Sequence, residues 1–262
     1  MNNNIPTTIY LYDRTFDGLL TAVFDAFVRK QNPQTLLGEG EPLPLFHDEV
    51  FTVVTDEEKA RRVWRTLEKK LSNQALTMLT VSYLAELPQL DLHLFNYICK
   101  AVTATTSIET HFTDEDVHFV TDTFRRVRYE RLRMMQFVRF QKAKDGTYFA
   151  LIRPDFDIIP LIVNHFQDRF ADQPWIIYDI RRNYGSHYDG HKVRSITFSD
   201  DGRTFDPHSG KLCAHLLAED ETLFQELWRT YFKAVCIKER LNPRKHRKDM
   251  PMRYWAYLTE KQ

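Results

Sequence analysis

The sequence predicts an α+β protein, on three observations. Through roughly the first 133 residues apolar side chains recur every three or four positions, the period of helices with one buried face. Beyond that point the period shortens to two, and Asp-Gly pairs at 145–146, 189–190 and 201–202 mark hairpin turns. Helices and strands are therefore segregated along the chain instead of alternating. The architecture expected is an antiparallel sheet in the C-terminal half packed with helices largely from the N-terminal half. No linker interrupts the pattern, so residues 1–262 are expected to form a single integrated domain.

Each element has its own signal. Ile9 to Tyr12 reads as a short buried strand, and Asp13-Arg14-Thr15 as the turn that leaves it. Phe16, Leu19, Leu20, Val23, Phe24 and Phe27 then fall at helical spacing. Prolines and glycines make residues 31–49 a loop, after which Phe51 to Val54 suits a strand. Thr55-Asp56-Glu57-Glu58 has capping-box spacing ahead of Val63, Trp64, Leu67 and Leu71. Helices over 74–87 and 90–104 are separated by Pro88, and another runs from Asp114 to Arg133. Gln136–Lys142 and Thr147–Arg153 flank Asp145-Gly146 as a hairpin. Asp157 is placed to cap a helix with Pro160 in its first turn, and Trp175 to Ile180 returns as a strand. A meander reaches Phe205, and Glu219-Asp220-Glu221 opens a long helix that Asn242-Pro243 stops. A short helix follows Pro251.

Composition narrows the class. Apolar residues at 43% and aromatics at 13% supply a core. Charges interrupt every apolar run before the ~20 residues that span a bilayer, and Met1-Asn2-Asn3-Asn4 lacks a signal peptide's basic start. Cys99, Cys213 and Cys236 are distant and odd in number, as in reduced thiols. These features point to a cytoplasmic protein without a membrane partner. The formal net charge is zero, yet residues 125–144 and 233–253 each hold eight Arg or Lys. Local basic patches thus survive a neutral total.

Several constellations carry chemistry. Val117, Val120, Phe124, Val127 and Met134 form a helical stripe with Arg131 on its centreline and Arg133 to one side. A guanidinium there either reaches phosphate or snorkels at a helix end. Arg139, read as a strand residue facing the same way as Phe137 and Gln141, fits a surface mixing basic and stacking groups. His165 shares the apolar side of its helix with Ile158, Leu161 and Ile162, and with Asp155 or Asp179 to orient it would be a general base. A hydrogen-bonded core histidine fits the same pattern. His187-Tyr188-Asp189-Gly190-His191 is a hairpin tip; without HExxH or paired cysteines it does not make a metal site. From Arg240 to Tyr257, Arg244, Lys245, Arg247 and Arg253 interleave with Tyr254 and Trp255, the mixture that single-stranded nucleic acid takes. P-loop, GxGxxG, GxSxG and CxxxCxxC patterns are missing, and nothing identifies a cofactor.

Four stretches together resemble a bacterial DNA-metabolism protein family. They are Tyr12-Asp13-Arg14-Thr15-Phe16-Asp17-Gly18 and its continuation to Phe24, Phe137-Val138-Arg139-Phe140, the block from Tyr148 to Asp179, and Pro251-Met252-Arg253-Tyr254-Trp255. The third holds Ile152-x-Pro154-Asp155, His165-Phe166-x-x-Arg169-Phe170 and Trp175-x-Ile177-x-Asp179. Members are encoded beside a radical-SAM protein of DNA modification or repair, and related domains are fused to uracil-DNA glycosylase-like domains. The resemblance implies a role in DNA repair or modification as partner of a radical-SAM enzyme. Arg14 stands where the family carries glycine, so the turn is expected not to need a left-handed residue. Leu132 and Gln136 stand where it carries His and Gly, a departure that favours binding over catalysis.

Three functions follow from these residues. The first is a DNA-binding accessory protein using Arg133, Arg139, Arg169, Arg244, Lys245, Arg247 and Arg253, with Tyr254 or Trp255 for stacking. The second is a DNA-acting hydrolase or glycosylase-like enzyme using His165 with a carboxylate, Asp155 or Asp179. The third is a protein–protein adaptor docking through apolar residues between Leu36 and Phe46.

Overall fold

Ile9, Tyr10 and Tyr12 are fully buried, which makes their strand, β1 (Thr8–Tyr12), the centre of a sheet and not its edge. The computed structural model describes residues 7–198, 204–237 and 242–262. The Asp201-Gly202 turn and the start of the 240–257 tail lie outside them. Contacts divide the chain into two compact units, residues 1–127 and 128–262.

In the first unit β1 leads into α1 (Phe16–Arg29), whose N-terminus is capped by Thr15 accepting from the Gly18 N–H at 2.9 Å. The chain returns as β2 (Thr35–Gly38) and then β3 (Glu49–Thr52), both parallel to β1, in the order β2-β1-β3. The N-terminal half, expected to be largely helical, therefore owns a parallel sheet in which β2 joins the two strands expected there. Leu36 and Gly38 are buried within what composition made a loop. Asp56 caps α2 (Glu57–Lys70), accepting from the N–H groups of Glu58 and Lys59 at 2.8 and 3.1 Å. Then come α3 (Asn73–Tyr83), α4 (Leu90–Thr103) and α5 (Glu115–Phe137), which crosses the division. Leu67, Leu79, Leu90, Leu94, Phe95 and Ile98 are fully buried. Arg14 sits at φ 54°, so the turn after β1 does require the left-handed conformation, and an arginine holds it. Its guanidinium pairs with Glu41, and its carbonyl accepts the Tyr83 hydroxyl at 2.6 Å.

In the second unit five strands pair in chain order: β4 (Gln141–Lys142), β5 (Tyr148–Ile152), β6 (Trp175–Asp179), β7 (Tyr184–Tyr188) and β8 (Val193–Ile196). Three pairings are antiparallel, but β5 and β6 are parallel, so the sheet is mixed. The reason is α6 (Ile159–Arg169), a crossover that returns the chain in the same direction. The first arm of the 136–153 hairpin is mostly helical, because α5 continues to Phe137 and leaves two paired residues in β4. Arg139 thus lies off any strand. Asp157 does not cap α6; it accepts the Tyr184 hydroxyl instead. At the 187–191 tip Asp189 accepts from the N–H groups of His191 and Lys192, as a hairpin turn does. A small ribbon, β9 (Phe205–Asp206) with β10 (Lys211–Leu212), packs Phe205 and Leu212 against Phe149, Leu151 and Tyr178. Two further helices follow, α7 (Glu221–Val235) and α8 (Pro243–Asp249), then 3-10 turns at Met252–Tyr257 and Thr259–Lys261. Asn242-Pro243 starts α8, with the Asn242 side chain accepting from the Lys245 N–H at 3.0 Å.

Candidate functional site

Because β5 and β6 are parallel, their carboxyl ends, Ile152 and Asp179, share one edge of the sheet. Polar loops leave that edge, the place where parallel sheets commonly receive ligands. Beneath it lies Glu130 of α5, 1% exposed. Its carboxylate accepts from the N–H groups of Asp155 and Phe156 at 3.0 and 2.9 Å, from Arg253 Nη2 at 3.0 Å and from the Tyr254 hydroxyl at 2.7 Å. Arg253 also pairs with the Asp155 carboxylate. Burial and the Glu130 charge together push the Tyr254 phenol well above its ordinary value.

Asp179, fully buried, accepts from the Arg181 N–H and from Arg182 Nη1, both at 2.8 Å. Burial pushes its carboxyl up, and those two bonds offset the effect only in part. Arg181 and Arg182 in turn donate to the Asp155 carbonyl at 2.8 and 3.0 Å. Buried charge here is paired and hydrogen-bonded, as burial demands. The network fixes residues 153–157 and leaves Arg253 and Arg181 at the surface.

The sequence candidates divide around this network. Asp155, Asp179, Arg253 and Tyr254 come together in it. His165 does not: half-buried on α6, it meets Phe166 edge-on at 5.1 Å, and no hydrogen bond joins it to Asp155 or Asp179. Arg139 is not available to phosphate. Its Nε and Nη2 grip Glu260 at 3.1 and 2.7 Å, and its Nη1 donates to the carbonyls of Gln136 and Val138. Tyr254 is 3% exposed, which leaves no ring face for a base. The Trp255 indole N–H donates to the Met250 carbonyl at 3.0 Å and the ring lies against His246 and Lys261, so its part is to dock α8. Arg131 donates to the Leu161 carbonyl at 3.0 Å, the helix-end role among its alternatives. Arg133 is half-buried, and Arg169 is exposed over the Phe170 ring at 5.8 Å.

The remaining cations lie on α8. Arg244, Lys245, Arg247 and Lys248 are all exposed within seven residues. Lys245 pairs with Asp249 at 2.8 Å, and Arg247 donates weakly to the Pro243 carbonyl at 3.3 Å. Asn242, Arg244, Lys245, Lys248 and Asp249 line an open depression of about 370 Å³. Among the described residues no cluster of three or more His, Cys, Asp or Glu side chains is arranged to hold a metal ion. Among them, too, no helix is long and apolar enough to cross a membrane.

Sequence reasoning missed Glu130, Arg181, Arg182 and Tyr184. One signal was present, since Glu130 is the single acid among residues 125–144. A lone carboxylate amid eight cations marks a designed partner more than a solvated face.

Fold and site together define an α+β protein with a carboxylate–arginine network at the ends of a parallel strand pair. The chain belongs to the family DUF4130, a domain of unknown function, whose profile matches residues 88–260. The match takes in Phe137–Phe140, Tyr148–Asp179 and Pro251–Trp255, while the Tyr12–Phe24 stretch lies outside it. No curated protein matches the chain. Among solved structures, a pGpG-specific phosphodiesterase, PggH, from Vibrio cholerae aligns with 87% of this chain and 99% of its own at 11% identity and a TM-score of 0.30. A likeness that distant carries neither fold nor function across.

Proposed function

We propose that this protein is a nucleic-acid-binding accessory protein of DNA repair or modification, acting beside a radical-SAM enzyme. The observation that carries the DNA contact is the 242–253 segment. It presents Arg244, Lys245, Arg247 and Lys248 to solvent and is tied through Arg253 to Glu130 and Asp155. Exposed guanidinium and ammonium groups on a fixed backbone suit phosphate oxygens, and they act locally although the net charge is zero. The radical-SAM partner rests on the family resemblance of the motifs alone.

Fluorescence anisotropy with labelled single- and double-stranded DNA across a salt titration tests the reading. Binding should weaken steeply with salt, and Arg244→Ala with Lys248→Ala should flatten the duplex log–log slope by about 2. Failure to bind at low salt, or a slope untouched by the double substitution, removes α8 from the function.

A specific observation also favours the adaptor reading. Leu45 and Phe46 are 94% and 89% exposed, in the segment expected to dock a protein. The hydrolase or glycosylase-like reading lacks that kind of support, since His165 has neither Asp155 nor Asp179 for a partner.

A further inference from the structure

Tyr12 ends the central strand of the first unit with a phenol that the fold leaves unanswered. The residue is fully buried, and among the described residues its hydroxyl has no hydrogen-bond partner. A buried hydroxyl in that state is a standing cost, which a bound group would remove. Its place is one where parallel sheets receive ligands. β2 and β3 run parallel to β1 on its two sides, so Tyr12, Gly38 and Thr52 bring three carboxyl ends to one edge. The chain passes from one side of β1 to the other between β2 and β3, which makes this edge a switch point.

Two further groups border the phenol. Tyr83, at the end of α3, donates to the Arg14 carbonyl at 2.6 Å and so hangs over the turn that leaves β1. Asp91 lies in the first turn of α4, and its charge and Tyr83 both bear on the Tyr12 hydroxyl, though neither meets it in hydrogen-bonding geometry. Burial pushes the Asp91 carboxyl up, and the Tyr12 phenol and Arg14 offset this only in part. Arg14 is committed elsewhere: it lies across Gly38, where a β-carbon would collide with it, and pairs with Glu41. The charges that bear most on Tyr83 and Asp91 are thus Asp13, Glu41 and Asp91 against Arg14. The edge is acidic and short of a cation.

We propose that the edge formed by Tyr12, Tyr83 and Asp91 is a binding site for a primary ammonium group. An ammonium carries three N–H donors and no acceptor, and two phenols and a carboxylate offer it three oxygens. Its charge supplies what the edge lacks, and N–H bonds from a cation to a carboxylate are among the strong ones. Phe16 packs edge-on against Tyr83 at 5.2 Å and against Trp64 at 5.8 Å, an aromatic wall suited to a cation and its alkyl stem. Tyr83 and Asp91 are only half-buried, so the ligand enters past them from solvent. The same charges refuse phosphate, which sets this site apart from the cations of α8.

The test is calorimetric titration of the full chain with propylammonium chloride at constant ionic strength. Tetramethylammonium chloride, which has the charge but no N–H, is the control. Propylammonium should bind in the millimolar range, and tetramethylammonium roughly tenfold more weakly or not at all. Asp91→Asn should weaken propylammonium by roughly tenfold or more. Tyr12→Phe should weaken it severalfold, yet raise the melting temperature of the ligand-free chain by removing the unanswered hydroxyl. Nα-acetyl-lysine amide separates two sources of the group. Tighter binding than propylammonium assigns a partner's lysine side chain, equal or weaker binding a free amine, and either supports the site. Absence of propylammonium binding, equal affinity for the two alkylammonium ions, or an affinity unchanged in Asp91→Asn overturns the proposal. A ligand-free Tyr12→Phe chain that melts below the native one means that water already answers the phenol, and overturns it as well. DNA enters none of these readouts.

Discussion

Glu130 gathers four donors from two distant segments of the second unit, Asp155–Phe156 and Arg253–Tyr254, onto one buried carboxylate. Replacing it with alanine strands two backbone N–H groups, a phenol and a guanidinium together. Glu130→Ala should cost about 3–5 kcal/mol in urea unfolding; a loss below ~1 kcal/mol would mean that water replaces the carboxylate at little cost. The residue was hard to read because helix periodicity reports which face is buried, not which polar group goes with it. Arg14 is the reverse case. A β-carbon at φ 54° costs about 1–2 kcal/mol that glycine avoids, while its exposed pair with Glu41 returns at most about 1 kcal/mol. Arg14→Gly should therefore leave the melting temperature within a few degrees of native, and Arg14→Val should lower it clearly.

Elements were legible where one face is buried and a cap is coded. The Asp189-Gly190 turn lies where the residues place it, whereas α2 is capped by Asp56, one residue past the Thr55 of the capping-box spacing, whose hydroxyl donates to Asp13 at 2.8 Å instead. β2 hid between Pro33 and Pro42, since a four-residue strand inside proline and glycine leaves no period to detect. At 134–137 the helix-forming Met134, Met135 and Gln136 outweighed the alternation that suggested a strand. The site suffered accordingly: Arg139, taken from that strand, joins Glu260 instead. Burial raises the Glu260 carboxyl, but the Arg139 and Trp228 donors outweigh it and hold the group below its ordinary 4.5. A depressed carboxyl stabilises the fold above its unfolded value and loses that contribution as pH falls through the folded one. Melting temperature should thus drop as pH falls below about 4.5, and the drop should be smaller in Glu260→Gln. Equal slopes for the two proteins would show the pair to be without weight.

For the whole molecule, composition reached as far as a well-supplied core and no further. The α+β class holds, but the parallel pairings in both sheets depend on crossovers whose direction no local pattern encodes. Each unit has buried apolar residues of its own: Leu67, Leu79 and Phe95 in one, Ile162, Trp175 and Tyr178 in the other. That the 262 residues unfold as one domain remains our proposal. Calorimetry of the full chain should then give a single transition with equal calorimetric and van't Hoff enthalpies, and two resolved transitions would make the units independent.

The bond from Tyr254 to Glu130 spans 124 positions in the chain. During synthesis Glu130 leaves the ribosome long before the tyrosine that completes it. Until then the loop at 153–157 has its carboxylate anchor but not the phenol and guanidinium that hold the anchor still. The second unit is consequently finished after translation of that stretch, not during it. A ribosome stalled short of residue 254 would release a chain with a negative charge waiting in its interior.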